Sequence, residues 1–363
     1  MRHAFRFEWA GGVALAGVLL LAAVAAGADS APRYRLAHQV SLPGDEGWDY
    51  LTLEPEGHRL FIAHGTHVLV VDTGTLAVAG RIADTPGVHG IALAPELNRG
   101  YVSAGRAGLV VVFDLKTLAR LKEIKTTGEN PDAIVYDAAT RHVFTFNGRG
   151  RNVTAIDAGT DQVVGTLALD AKPEFAVPDG RGRVYVNLED RNSLAVLDAR
   201  KLSVLSVWPI AGCEEPSGLA FDADRRHLFP VCSNRVMAVV DAASGRALGS
   251  APIGAGVDAA AYDPGSGLAF ASCGEGNLTV VRTGASGAAQ VVQSVPTRRG
   301  ARTMALDTRT HRVYLVTADF GPPPPASPEQ PHPRPAIQPG TFRLLVLEPE
   351  QEPAASPRGG RGP

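Results

Sequence analysis

The sequence predicts an all-β chain folded as a seven-bladed β-propeller, with four antiparallel strands per blade. Three observations predict it. A unit of about forty residues recurs along the chain, each unit reads as four short strands, and an unpaired strand at the start matches a strand missing at the end. In each unit an apolar run closes on an acid and a turn follows. VLVVD ends at Asp72, VVVFD at Asp114, VTAID at Asp157, LAVLD at Asp198 and MAVVD at Asp241, in steps of 41 to 43 residues. A sixth copy, LTVVR, puts Arg282 at the acid position, and a seventh, LLVLE, ends at Glu348.

The second unit illustrates the blade. Gly90 to Pro95 is a small, apolar first strand, and Arg99 to Ala104 a second with β-prone Tyr101 and Val102. Leu109 to Asp114 is the third, and Ala119 to Ile124, alternating apolar with charged, is the fourth. The links carry turn formers. Every second strand holds one aromatic, Phe61, Tyr101, Phe144, Tyr185, Phe229, Phe270 or Tyr314, placed to pack between blades. The last unit has no fourth strand after Glu348, whereas Arg33 to Gly44 reads as a fourth strand with no blade before it. Pairing the two would close the ring and leave no free sheet edge.

The expected organisation is a signal peptide over 1–28, the propeller over 29–348 with a proline-rich loop inserted at 318–341, and a disordered tail over 349–363. Arg2 and Arg6 start the chain, Gly12 to Ala26 carries no charge, and Ala26-Gly27-Ala28 is a small-x-small cleavage site. The run is shorter than the ~20 residues of a membrane span. Export to a bacterial periplasm or secretion is expected, with no membrane span after cleavage and a monomeric product. Forty glycines and 27 prolines suit a turn-rich β chain. With a net charge of −2 and no basic cluster on any one strand, nucleic acid is not an expected partner.

YVSA at Tyr101, YVNL at Tyr185 and YLVT at Tyr314 look like variants of a YVTN signature, and the turns after VVD match as well. On these residues, the chain resembles the YVTN-repeat, YncE-like seven-bladed propellers of bacterial envelopes, over about 33–348. The resemblance implies the fold, an envelope location and a binding or surface role.

Motifs for a nucleophile elbow, H-E-x-x-H zinc, a P-loop, an EF-hand and c-type haem are absent from the sequence. What remains is positional. Counting five places back from the residue that closes each first strand, an acid in six of the seven, gives Asp49, His89, Asp132, Glu174, Ser217, Asp258 and Arg302, one per blade. These should converge at the mouth of the central channel and bind a ligand there. Four carboxylates near one axis repel unless a cation or a basic group joins them. A divalent cation, calcium or magnesium rather than zinc, is the expected cofactor. His64, in a His64-Gly65-Thr66-His67 turn, is expected beside Asp49. The candidate metal ligands are thus Asp49, His64, His89, Asp132, Glu174 and Asp258. Cys213 and Cys232 flank the ends of paired strands and are expected to form a disulfide, leaving Cys273 free; a Cys232–Cys273 bridge is the rival pairing. The proline-rich loop joins the second strand to the third, so it should emerge on the face of the ring, as a surface loop, a lid or a docking arm.

Two function classes follow. One is a periplasmic binding or scaffold propeller that holds a small ligand or an envelope protein at the channel mouth. The other is a metal-dependent lactonase-type hydrolase or lyase with its metal in the acidic ring; such propellers add asparagines there, and Asn147 and Asn187 lie near second-strand ends.

Overall fold

The computed structural model describes Met1 and residues 32–56, 58–325, 333 and 335–350. Met1 apart, the expected signal peptide lies outside these residues, as do 351–363 and the middle of the proline-rich insertion.

Among the described residues, the strands form seven four-stranded antiparallel sheets, six in simple meander order and one in which the first strand of the chain is added beside the last. The first strands are Trp48–Leu53, Val88–Ala94, Pro131–Asp137, Pro173–Pro178, Pro216–Asp222, Val257–Asp263 and Met304–Asp307. Each contacts the first strand of both neighbouring blades, the seventh touching the first, so they encircle a channel. In blade 2 the second and third strands are Arg99–Ala104 and Leu109–Asp114, as the sequence predicts, and the outer two shift by one or two residues. The middle strands are buried almost throughout. The fourth strands face solvent and carry the exposed large apolar side chains, among them Leu121, Val164 and Val207.

The repeating acids do structural work. Asp72 Oδ1 accepts the Gly74 and Thr75 backbone N–H groups and the Thr75 hydroxyl. Asp114, Asp157, Asp198 and Asp241 close the same turn two and three residues on. These bonds favour the carboxylate and hold Asp72 below its ordinary pKa, with the Thr75 backbone as the largest cause.

Each core cluster straddles neighbouring blades rather than filling one, and the cluster of blades 3 and 4 also takes in Tyr50 of blade 1. The second-strand aromatic reaches the next blade every time: Tyr101 packs with Ile156 and Ala158 of blade 3, and Tyr314 with Leu60 and Ile62 of blade 1. The Tyr185 hydroxyl donates to the Ala242 carbonyl of blade 5 at 2.8 Å. The Tyr34–Ser41 strand pairs antiparallel with Arg343–Pro349, which completes blade 7. Tyr34 is 1% exposed and meets Phe270 of blade 6 edge-on at 5.1 Å. The Gln293 side chain bonds both the N–H and the carbonyl of Tyr34 at 2.7 Å. Pairing runs past the expected start of the tail. Pro349 lies opposite Tyr34 and the Glu350 N–H reaches the Arg33 carbonyl, because the partner strand begins early enough to extend the ladder.

Cys213 and Cys232 are joined by a disulfide across 19 residues of sequence, and Cys273 is buried and free. In the chain-entropy view a loop of this size stabilises by about 3 kcal/mol. A Cys213→Ala/Cys232→Ala variant should lose about that much in denaturant titration, with no loss on adding reductant to the variant. Tyr34→Ala should cost about 3–5 kcal/mol, the range for a large buried aromatic. A shift below 1 kcal/mol would mean that the closing strand contributes little to the ring.

Candidate functional site at the channel mouth

The ring positions sit in a recurring backbone irregularity. In the first six blades the register of the first strand slips at its start, between Trp48 and Leu51, Val88 and Ile91, Pro131 and Ile134, Pro173 and Ala176, Pro216 and Leu219, and Val257 and Ala259. A bulge re-aims side chains. The slipped residues include Asp49, His89, Asp132, Glu174, Ser217 and Asp258. The polar groups that a bulge frees from the ladder find partners on alternate blades. Ser103 donates to the Asp132 carbonyl, Asn187 to the Ser217 carbonyl at 2.7 Å, and Ser272 to the Arg302 carbonyl. Each of these side chains takes the fifth position of its second strand and latches the ring residue of the next blade. Asn187 Nδ2 is thereby committed to backbone and Asn147 Nδ2 bonds Asn152 and Thr154, while the Oδ1 of each is buried without a hydrogen-bond partner.

The ring charges meet in pairs. His89 Nδ1 lies 2.6 Å from Asp49 Oδ2 and 3.6 Å from Asp132 Oδ1. The His89 ring packs over Gly105, where an added Cβ would come within 2.6 Å of it. Arg302 Nε lies 3.0 Å from Asp258 Oδ2. Lys172 Nζ lies 3.5 Å from Glu174 and also contacts Glu189. Ser217 bonds the Val257 carbonyl at 3.2 Å. The ring is therefore partly compensated from within, and its carboxylates are not the bare cluster that the sequence suggests. Lys172, Glu189 and Tyr50 escape a count of equivalent positions because none of them occupies one. Lys172 stands two places before Glu174, just ahead of the Pro173–Pro178 strand. Tyr50 of blade 1 meets Phe175 of blade 4 across the channel, ring centroids 5.1 Å apart, and its hydroxyl lies 3.4 Å from Glu174 Oε1.

Enclosure shapes the titration of these groups. Burial pulls the His89 imidazole down, but the Asp49 hydrogen bond and the charges of Asp132, Asp49 and Glu174 outweigh it and lift the group to about 9. Burial pushes Asp258 up to about 6 against the pull of Arg302. Asp132 is raised by burial, with His89 holding it back. Glu174 is raised further, first by burial and then by the charge of Asp132. Solvent still reaches the site through the mouth, since the Asp258 side chain stays 23% exposed.

Two cavities open at this face. A polar cleft of ≈ 510 Å³ beside His89 is lined by Arg106, Glu129, Asn130 and Arg149. A second, of ≈ 350 Å³, lies between Trp48, Arg299, Arg302 and the described ends of the proline-rich insertion, Phe320 and Ile337. Those two residues bridge each other, and Phe320 packs on Trp48 at 6.0 Å, so the insertion emerges at the mouth.

His64 is placed differently from the expectation. It pairs with Trp48, one residue from Asp49, so alternation turns its ring away from the axis. The ring stacks on Phe342 at 4.3 Å, between blades 7 and 1. His64 belongs with Glu46 and His67, whereas Asp49, His89 and Asp132 form a separate group. Glu174 and Asp258 remain with Lys172 and Arg302.

Two curated relatives match the chain, both named as uncharacterized protein YncE, from Salmonella typhimurium and Salmonella typhi. Each is 38% identical over 96 residues, which is 26% of this chain and 27% of the relative. The chain is a seven-bladed β-propeller that is similar to YncE over that stretch. The match spans about a quarter of the length of those relatives. No family model matches, the YVTN repeat included. Among solved structures, U3-55K superposes with a TM-score of 0.71 at 11% identity, over 86% of this chain and 99% of that one. The WD40 repeats of RRP9 give 0.72 at 10%, over 88% and 99%. At such identities the likeness is one of fold.

The raised groups fix a sign for the pH dependence. Glu174 keeps in the folded state a proton that its unfolded form, near 4.5, releases, so the stability tied to it is present at acid pH and lost as pH rises through about 8. Glu174→Gln keeps the neutral form at every pH. It should leave stability near pH 4 unchanged and raise it at pH 8 by on the order of 2 kcal/mol. Equal urea midpoints for variant and wild type at pH 8 would show that Glu174 is ionised without cost.

Proposed function

We propose that this chain is an exported binding propeller that captures a small organic cation at the channel mouth. The observation that carries the reading is the charge count around the axis. Among the groups that reach the ring itself, Asp49, Asp132, Glu174, Glu189 and Asp258 face His89, Lys172 and Arg302, two more acids than bases, while Arg106, Arg149 and Arg299 line the two cavities beyond it. Burial raises Asp132, Glu174 and Asp258, and the neighbouring carboxylates add to it. An ammonium or guanidinium group between Asp132 and Glu174 would offset this excess of acids and ionise both. The disulfide favours an oxidising compartment such as the periplasm, in line with the expected signal peptide. The hydrolase alternative has less behind it. His89 already engages both neighbouring aspartates.

A melting-temperature screen with putrescine, spermidine, arginine ethyl ester, calcium and magnesium tests the proposal. A ligand at a hundred times its Kd stabilises by about 2.7 kcal/mol, which moves the melt by several degrees. We expect at least one organic cation to do so, and an Asp132→Asn/Glu174→Gln variant to lose the shift. If none of the cations acts on the wild type, or the shift survives in the variant, the channel mouth is not the binding site.

A further inference from the structure

We propose that Glu46, His64 and His67 form a second site, distinct from the channel, that binds a transition-metal dication of the zinc class. His64 and His67 end and begin consecutive strands of blade 1, Arg59–His64 and His67–Asp72, and pair directly across the turn. A paired position puts both side chains on one face. Their rings stand edge to face with centroids 5.0 Å apart. Glu46, from the loop before blade 1, folds over this turn. Its Oε2 accepts the Thr66 N–H at 2.7 Å, and the Thr66 hydroxyl lies 3.1 Å from both carboxylate oxygens. This anchors the carboxylate 3.9 Å from His67 Nδ1.

The observation that points to a ligand is His64. It is completely buried, and neither ring nitrogen has a hydrogen-bond partner. A buried imidazole normally satisfies at least one nitrogen, and one that does not asks for an explanation such as a bound ion. The backbone also makes room for it. Gly44 adopts φ +106, and a Cβ there would lie 2.3 Å from His64 Cε1.

One ligand atom from each of the three residues lies within 4.8 Å of the others. Zinc at about 2.0–2.1 Å from N and O donors brings tetrahedral ligands to roughly 3.3 Å apart, so modest side-chain adjustment closes the set. Glu46, with 43% of its side chain exposed, is free to make that adjustment. Two imidazoles and one carboxylate suit zinc and its first-row neighbours, and not calcium or magnesium, which take oxygen ligands. Three protein ligands leave a fourth position for water or an incoming donor. A bound ion would tie the 45–47 loop to the blade 1 turn, beside the strand pairing that closes the ring.

The test is titration of the metal-stripped full chain with zinc by calorimetry, and with cobalt by visible absorption. We expect one zinc site, with tetrahedral cobalt bands. His67→Ala and Glu46→Gln should each weaken binding tenfold or more, Glu46→Gln serving as the variant least able to disturb folding. Asp132→Asn should bind as the wild type does, which separates this site from the channel proposal. Absence of zinc binding, affinity unchanged in both the Glu46 and His67 variants, or loss of binding in Asp132→Asn would each overturn the assignment.

Discussion

Everything at the channel mouth depends on ring closure. The ring residues approach one another only because seven first strands are held in a circle, and the circle is sealed by the pairing of Tyr34–Ser41 with Arg343–Pro349. The seal joins distant parts of the chain, so its entropic cost is that of closing nearly the whole chain, a cost that grows only logarithmically with length. It is met by a full ladder of hydrogen bonds, by burial of Tyr34 against Phe270, and by the two bonds of Gln293. The remaining cohesion is distributed. Core clusters that straddle neighbouring blades make each blade depend on the next, which favours unfolding as a unit.

The repeat was legible because it is local. An apolar strand closed by an acid and a Thr or Ser turn announces itself in any copy, and the acid caps that turn. The most periodic residues of the chain are therefore structural, and the ones of functional interest sit at a position defined only by counting from them. That count picks out Asp49, His89, Asp132, Glu174 and Asp258, which lie in the bulge that recurs at the start of six first strands, and Arg302, which lies beside Asp258. Lys172, Glu189 and Tyr50 lie outside the count. Whether a lysine two places before a ring residue reaches the axis depends on the backbone slip, which leaves no mark in the sequence. His64 shows the converse. Strand adjacency correctly put it one residue from Asp49, but alternation turned it to the opposite side, where Glu46 and Phe342 surround it instead.

The latches formed by Ser103, Asn187 and Ser272 link these two levels. Each is a small polar residue on a strand that is otherwise apolar, and each fixes the backbone of a ring residue on the next blade. Buried polar groups are costly unless bonded; here their bonds are what hold the bulges in place. The site thus inherits its precision from buried residues that never face the channel.

The central claim is that the fold gathers acidic groups on one axis at a cost expressed in retained protons. The most direct measurement is the number of protons exchanged on unfolding at pH 7, from calorimetry in buffers of different ionisation enthalpy. With His89 lifted to about 9 and Glu174 raised, the account predicts release of about 1–2 protons, and a clear reduction in a His89→Gln/Glu174→Gln variant. Unfolding with no proton release, or with the same release in the variant, would contradict it.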